Sequence, residues 1–287
     1  MYYTNTNNQK ITTKQRYKMR YSIITINYNN KNGLRNTIKS VISQSYTNYE
    51  YIIIDGGSTD ESTNIIKHYS YKINYWVSEQ DKGIYNAMNK GIAQANGEYL
   101  IFLNSGDVFF NEQVLKECDT LLDKDIVVGN IIRKDGLKEE NYHKQDITMM
   151  HLFHGYLPHQ ATFFRRELFN KHLYDEKYKI ASDWKFYIQQ LIFNDCSFKT
   201  ININIAIFDC EGISFTNKEI TLRERKEILQ NILPKRIYMD YIRYEGKESP
   251  LLDLIPILNK TYRLHKFVVF LVKSIIKIYN TINKEKK

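Results

Sequence analysis

Apolar and polar positions follow two rhythms along the first hundred residues of this chain. Tyr21 to Asn27 is a short β-branched run that stops at an Asn/Lys/Gly cluster, the pattern of a buried strand running into a turn. Behind it Leu34, Ile38, Val41 and Ile42 recur at helical spacing and predict a helix with one apolar face on a sheet. Tyr49 to Asp55 repeats the strand and Gly56-Gly57 breaks it. Ser58, with Glu61 three residues on, then predicts a capping box opening the next helix, with Asp60 just inside it. Trp76 to Ser78 is a weaker strand. Ile84, Met88, Ile92 and Ala95 predict a helix ended by Asn96-Gly97, and Glu98 to Leu103 is a clear strand. Strands alternating with helices predict an α/β fold with a mostly parallel central sheet flanked by helices. Ligands of such sheets sit outside the carboxyl ends of the strands, so the loops at Asn27, Asp55 and Asn104 to Asp107 are expected to converge on one site.

From about residue 125 the rhythm changes. Ile126 to Arg133 with a turn at Lys134-Asp135-Gly136, then Ala161 to Arg165, read as hairpin-like strands, followed by a helix around Asp183 to Ile192. Beyond about residue 217 the chain reads as helical. It ends in Lys266-Phe-Val-Val-Phe-Leu-Val-Lys273 and Ile275 to Ile278, too short and too interrupted by lysine to cross a bilayer. That stretch is either a basic amphipathic helix on a membrane surface or a helix packed on the main domain or a second subunit. The expected organisation is a polar N-terminal extension over 1–19, a main domain over 20–217 and a helical C-terminal region over 218–287.

Composition narrows the class. At 43% hydrophobic the chain can bury one sizeable core. Cys118, Cys196 and Cys210 show neither metal-ligand spacing nor an activation signature and read as reduced thiols of a cytoplasmic protein. The first twenty residues lack the apolar core of a secretory signal. A net charge of +9 suits an anionic membrane or a phosphorylated ligand, and no nucleic-acid module accompanies it. The expected location is cytoplasmic and peripheral, on the inner face of the plasma membrane.

Several residues could carry chemistry at such a site. A carboxylate at Asp55 could accept from a base N–H while Gly56 and Gly57 allow close approach, although Asp and Gly equally serve a turn. Asp107, closing Leu103-Asn104-Ser105-Gly106-Asp107, could hold a divalent cation with a diphosphate, although these are also ordinary turn residues. Asp183 could take a proton from a hydroxyl, or simply favour a helix N-terminus. His159, between Pro158 and Gln160, could face phosphate, metal or acceptor, or belong to the core.

In their order, Asp55-Gly-Gly-Ser-Thr-Asp60, Ser78-Glu-Gln-Asp-Lys-Gly-Ile-Tyr-Asn-Ala-Met-Asn-Lys-Gly91 and Leu103-Asn-Ser-Gly-Asp107 resemble family 2 glycosyltransferases of the GT-A fold, most closely the capsule and exopolysaccharide branch with its colanic-acid-type enzymes. The resemblance covers about residues 20 to 215. It implies an inverting, single-displacement transfer from a nucleotide-diphosphate sugar, UDP-linked by expectation, to a glycan or lipid-linked acceptor. Asp183 would be the base and Asp107 the ligand of Mn²⁺ or Mg²⁺. Donor contacts are expected from Asn27, Asp55, Gly57, Asp60, Asp81, Gly83, Tyr85, Asn86, Asn89, Asn104 and Ser105, with His159-Gln160 a recurrent element of the branch. Asn104 and Gly106 stand where many relatives carry acids, which leaves Asp107 alone in that motif. Neither Trp76 nor Trp184 follows an arginine, so the Arg-Trp signature of processive relatives is missing and one sugar per encounter is expected.

Two other readings compete. A sugar nucleotidyltransferase would need a glycine-rich basic loop after the first strand, where this chain has Tyr28-Asn-Asn-Lys-Asn-Gly33. A non-catalytic nucleotide-sugar or glycan-binding scaffold is the second, weighed against the joint presence of Asp107 and Asp183. A dehydrogenase is excluded by the lack of GxGxxG.

Overall fold

The computed structural model describes residues 19–134, 138–140, 147–210, 212, 217–245 and 262–284. The expected N-terminal extension, except Met19, and the turn residues Asp135 and Gly136 lie outside the described residues. The chain divides into two compact units, one running through Ile232 and the other beginning at Leu233.

The first unit is built on one nine-stranded sheet. Strands β1 (Met19–Asn27), β2 (Tyr49–Asp55), β3 (Tyr75–Ser78) and β4 (Gly97–Phe102) run parallel in the order β3-β2-β1-β4. Their registers align Asn27 with Asp55 and Asp55 with Ser78, so these polar strand ends fall on one line. Ile23, Ile24, Ile52, Ile53, Ile54, Leu100 and Ile101 are fully buried, as expected of strands covered on both faces. Helix α1 (Lys31–Ile42) buries Leu34, Ile38 and Val41, and α3 (Ile84–Gln94) buries Met88 and Ile92. Between them lies α2 (Ser62–His68).

The other half is antiparallel where it joins the first. A two-residue strand β5 (Val108–Phe109) and helix α4 (Val114–Asp119) lead to β6 (Ile126–Arg133), which pairs antiparallel with β7 (Lys138–Glu140) and β8 (Thr162–Arg165). β8 is also antiparallel to β4 and so joins the two halves. Helix α5 (Met149–His154) precedes β8; helix α6 (Ser182–Tyr187) follows it and widens into a π-turn over Ile188–Phe193. The long strand β9 (Phe198–Phe208) runs parallel to β6 and antiparallel to β5. Helix α7 (Lys218–Ile232) completes this unit. The second unit contains α8 (Lys235–Glu245) and α9 (Tyr262–Lys284). No helix among the described residues is long and apolar enough to cross a membrane.

One local expectation is overturned. Ser58 and Glu61 form no capping box: α2 starts only at Ser62, and Glu61 at its cap has a left-handed φ of 68° and makes no side-chain cap bond. Asp55 takes both the Ser58 N–H (2.9 Å) and its hydroxyl (2.6 Å), so that serine is spent on the strand end. Asp60 is therefore outside the helix. Its Oδ1 accepts from the Ser62 N–H and hydroxyl, while Oδ2 accepts the Lys31 N–H at 2.8 Å, tying the start of α1 to the α2 loop.

Candidate active site

The carboxyl ends of β1 and β4, the start of α3, the end of β9 and the loop before α6 enclose a cavity of about 580 Å³. Among the expected site residues, Asn27, Asp81, Gly83, Tyr85, Asn104, Ser105, Asp107, His159, Gln160 and Asp183 border it.

The remainder do supporting work. Asp55 is fully buried, and its oxygens accept four hydrogen bonds from Asn27, Ser78 and Ser58, whose amide and hydroxyl both donate. Burial alone would raise its pKa, but these hydrogen bonds hold it below the usual carboxylate value. It thereby fixes the Asn27 side chain and leaves the Asn27 Oδ1 buried without a partner among the described residues. Gly57 serves the same turn with φ +80°. Asn86 and Asn89 both turn to Glu176, and Asn89 also pairs with the Tyr174 backbone through donor and acceptor alike, locking α3 to the chain that leads into α6.

Two groups stand at the outer end of the cavity. Tyr28 is 66% exposed, and an ideal Cβ on Gly56 would lie 3.3 Å from its ring. The same Cβ would lie 2.4 Å from Asp81 Oδ2, so only glycine lets that carboxylate sit against the β2 turn. Asp81 Oδ1 accepts the Gly83 N–H at 2.9 Å, which orients it. Tyr28 lay inside a loop read only for its glycine and lysine content; an aromatic residue directly after a strand end was the available signal.

The inner end holds a pair of acids. Asp107 is 3% exposed, and its Oδ1 accepts the Asp209 N–H at 2.9 Å. Burial pushes its pKa up to about 7; the Asp209 charge adds to this, while the Asp209 N–H and the Gln160 side chain oppose it. Gly106, at φ +108°, allows the approach, since a Cβ there would meet Asp209 Oδ2 at 2.7 Å. Asp107 is the one acid within its own motif, but the end of β9 brings Asp209 beside it from 102 residues away in sequence. The β-branched run ending in Phe208-Asp209 carries the same strand-end signal as Tyr49 to Asp55. Lys134 lies 3.5 Å from Asp209.

These residues fit a divalent cation. The carboxylates of Asp107 and of Asp209, whose N–H meets Asp107, and the buried Asn104 Oδ1 unpartnered among the described residues are hard oxygen donors of the kind Mg²⁺ or Mn²⁺ accepts. Among the described residues no cluster of three or more His, Cys, Asp or Glu side chains could hold a metal ion.

Asp183 sits in the first turn of α6, where the helix N-terminus favours negative charge. Its Oδ1 lies 2.8 Å from both the Tyr85 hydroxyl and the Trp184 N–H, whereas Oδ2 has no hydrogen-bond partner among the described residues. The carboxylate is thus held by one oxygen and open at the other. Tyr85 also contacts the Ile180 carbonyl; burial, with the Asp183 charge next, pushes its pKa far up, so it remains a protonated donor. His159 behaves as a core histidine. It stacks on Phe102 at 4.8 Å, its Nε2 meets the Tyr174 hydroxyl at 2.7 Å, and burial keeps its pKa low.

The parallel strands thus empty into a cavity bordered by Asp81, Asp107, Asp209 and, from the start of α6, Asp183. Residues 22–187, more than half of the chain, match Glycosyl transferase family 2, and the chain belongs to that family. It is 34% identical over 212 residues to an uncharacterized glycosyltransferase of Mycobacterium tuberculosis, covering 67% of this chain and 76% of that one. It is 26% identical over 324 residues to an uncharacterized glycosyltransferase of Rickettsia typhi, covering 94% and 98%. Among solved structures it resembles S. aureus TarS 1-349 in complex with UDP-GlcNAc, with a TM-score of 0.61, 18% identity and coverage of 78% and 70%. The mannosyltransferase PcManGT from Pyrobaculum calidifontis, in complex with GDP-Man and Mn²⁺, has a TM-score of 0.53 and 13% identity, covering 88% and 84%.

Proposed function

We propose that this glycosyltransferase moves one sugar per encounter from a UDP-sugar to a hydroxyl of a glycan or lipid-linked glycan in surface polysaccharide synthesis, with inversion at the anomeric carbon. The observation that carries this reading is one cavity holding the Asp107–Asp209 pair together with Asp183, whose single open oxygen suits a general base. Oδ2 of Asp183 takes the proton of the acceptor hydroxyl as that oxygen attacks the anomeric carbon. The bond to the diphosphate breaks on the opposite face, and the configuration inverts. A divalent cation, Mn²⁺ or Mg²⁺, held by Asp107 and Asp209 would neutralise charge on the departing diphosphate. The base of the donor stacks on the exposed Tyr28 ring and gives its ring N–H to Asp81; the UDP-GlcNAc bound by TarS favours uracil.

Calorimetric titration with UDP-, GDP-, CMP- and dTDP-sugars, each with and without Mn²⁺, tests the assignment. Metal-dependent binding of UDP-sugars alone is expected, and binding of GDP-sugars in their place would overturn the choice of base. Gly56→Ala, which drives a methyl group into Asp81, is expected to weaken donor binding about tenfold with the fold retained, from the lost hydrogen bond.

The acceptor reading draws on α9. Over Tyr262–Lys284 it carries Arg263, Lys266, Lys273, Lys277 and Lys284 and no acidic residue, with Phe267, Phe270 and Ile275 exposed. Such a helix suits the surface of an anionic membrane, where a lipid-linked acceptor would be met from the cytoplasmic side. The full chain is expected to float with phosphatidylglycerol vesicles and not with phosphatidylcholine vesicles. Equal recovery with both would remove the electrostatic part of this reading.

A further inference from the structure

Helix α7 lies beyond residues 22–187, the part of the chain that matches the family, yet it reaches the loop carrying the proposed base. Its Glu224 is 6% exposed and accepts three successive backbone N–H groups: Oε1 that of Lys179 at 2.8 Å, and Oε2 those of Ile180 and Ala181 at 2.9 and 3.0 Å. Three amides in a row around one carboxylate form an anion nest, here filled by the protein's own side chain. The next residue, Ser182, opens α6, and Asp183 follows. Arg225, also on α7, stacks over Trp184 at 4.8 Å and donates to the Gly155 carbonyl at 3.1 Å.

We propose that Glu224 is a positioning residue for the transfer reaction, its carboxylate clamping the 179–181 backbone so that Asp183 presents Oδ2 at a fixed place in the cavity. Two holds then act on one short segment from opposite sides. Tyr85 on α3 shares its one O–H between the Ile180 carbonyl and Asp183 Oδ1, while Glu224 on α7 grips the three amides. The same clamp sets the backbone of Lys179, itself a residue that borders the cavity. Without the clamp three amides, two of them in buried hydrogen bonds, lose their acceptor and the loop relaxes, moving the base relative to the donor. A displacement near 1 Å at a reacting group costs about a hundredfold in rate.

This inference rests on the role proposed for Asp183, and its test keeps the two separable. Glu224→Ala, Glu224→Gln and Ile228→Ala are compared in the full chain by Tm, donor dissociation constant, kcat on the donor selected by calorimetry, and hydrogen exchange at the 179–181 amides. Ile228 is fully buried on the same helix and makes no hydrogen bond to that segment, so its truncation reports loss of α7 packing alone. Glu224→Ala is expected to lower kcat ten- to a hundredfold with the donor constant within twofold, and to speed exchange at the three amides. Glu224→Gln should fall between, because one carbonyl oxygen remains as acceptor and the new amide opposes an N–H. Ile228→Ala should lower Tm with kcat kept within twofold. A Glu224→Ala protein with wild-type kcat, or an Ile228→Ala protein that loses as much kcat as Glu224→Ala, would overturn the proposal. Unchanged turnover in Asp183→Asn would instead remove the role of the base on which it rests.

Discussion

Asp183→Asn is expected to lower kcat by about a thousandfold or more while the donor dissociation constant stays within twofold, since general-base contributions run to about 10²–10⁴. Asparagine can still accept the Tyr85 hydroxyl and the Trp184 N–H through one oxygen, so the start of α6 keeps its two anchors. The second oxygen is replaced by an amide that cannot take a proton. Because the change is nearly isosteric and Asp183 is only half-buried, Tm should hardly move. Steady-state kinetics beside calorimetric donor binding would check this. A parallel loss of kcat and donor affinity would mean that Asp183 holds the donor instead of activating the acceptor, and a scaffold would bind donor with no turnover in either form.

The second large effect concerns Asp107. Burial pushes its pKa up to about 7, so below that pH a cation must displace a proton to reach it. The apparent dissociation constant for Mn²⁺ should rise about tenfold for each pH unit below 7 and level off above it. The sign for folding follows from the same shift. The folded-state pKa lies above the unfolded carboxylate value, so this group's contribution to stability is fully present below the unfolded value and is lost as pH rises through about 7. Asp107→Asn should therefore raise the Tm of the metal-free protein at pH 8, leave it little changed at pH 4, and abolish the dependence of donor binding on Mn²⁺. Thermal melts at both pH values, with and without Mn²⁺, check all three. An Asp107→Asn protein that still binds donor more tightly with Mn²⁺ would shift the ion to Asp209 and its neighbours.

Much of the donor half was legible along the chain because it is built from local units. Each of β1, β2 and β4 is a short apolar run that ends at a polar loop, and parallel strands align those ends without information from afar. Of the loops expected to converge, those at Asn27 and Asn104 to Asp107 meet in one cavity, whereas Asp55 does not border it and Asp81 does. Misreadings arose where a side chain had two local partners to choose from. Ser58 could cap a helix or serve Asp55, and the buried carboxylate won because leaving it without hydrogen bonds costs more than an uncapped exposed helix end.

The sequence by itself determined the α/β class and the mostly parallel sheet of the first half, and its resemblance to family 2 glycosyltransferases pointed to Asp107 and Asp183 as the acids to watch. Periodicity and strand-end chemistry are local properties and survive in one dimension. Only the tertiary structure decided that Asp107 has Asp209 beside it, that Asp55 is spent on its own turn, and that Glu224 grips the loop of Asp183. Those pairings join β4 to β9 and α6 to α7. They depend on which strand edges and helix faces come together when the apolar surfaces are buried, and that choice is made by the whole core at once.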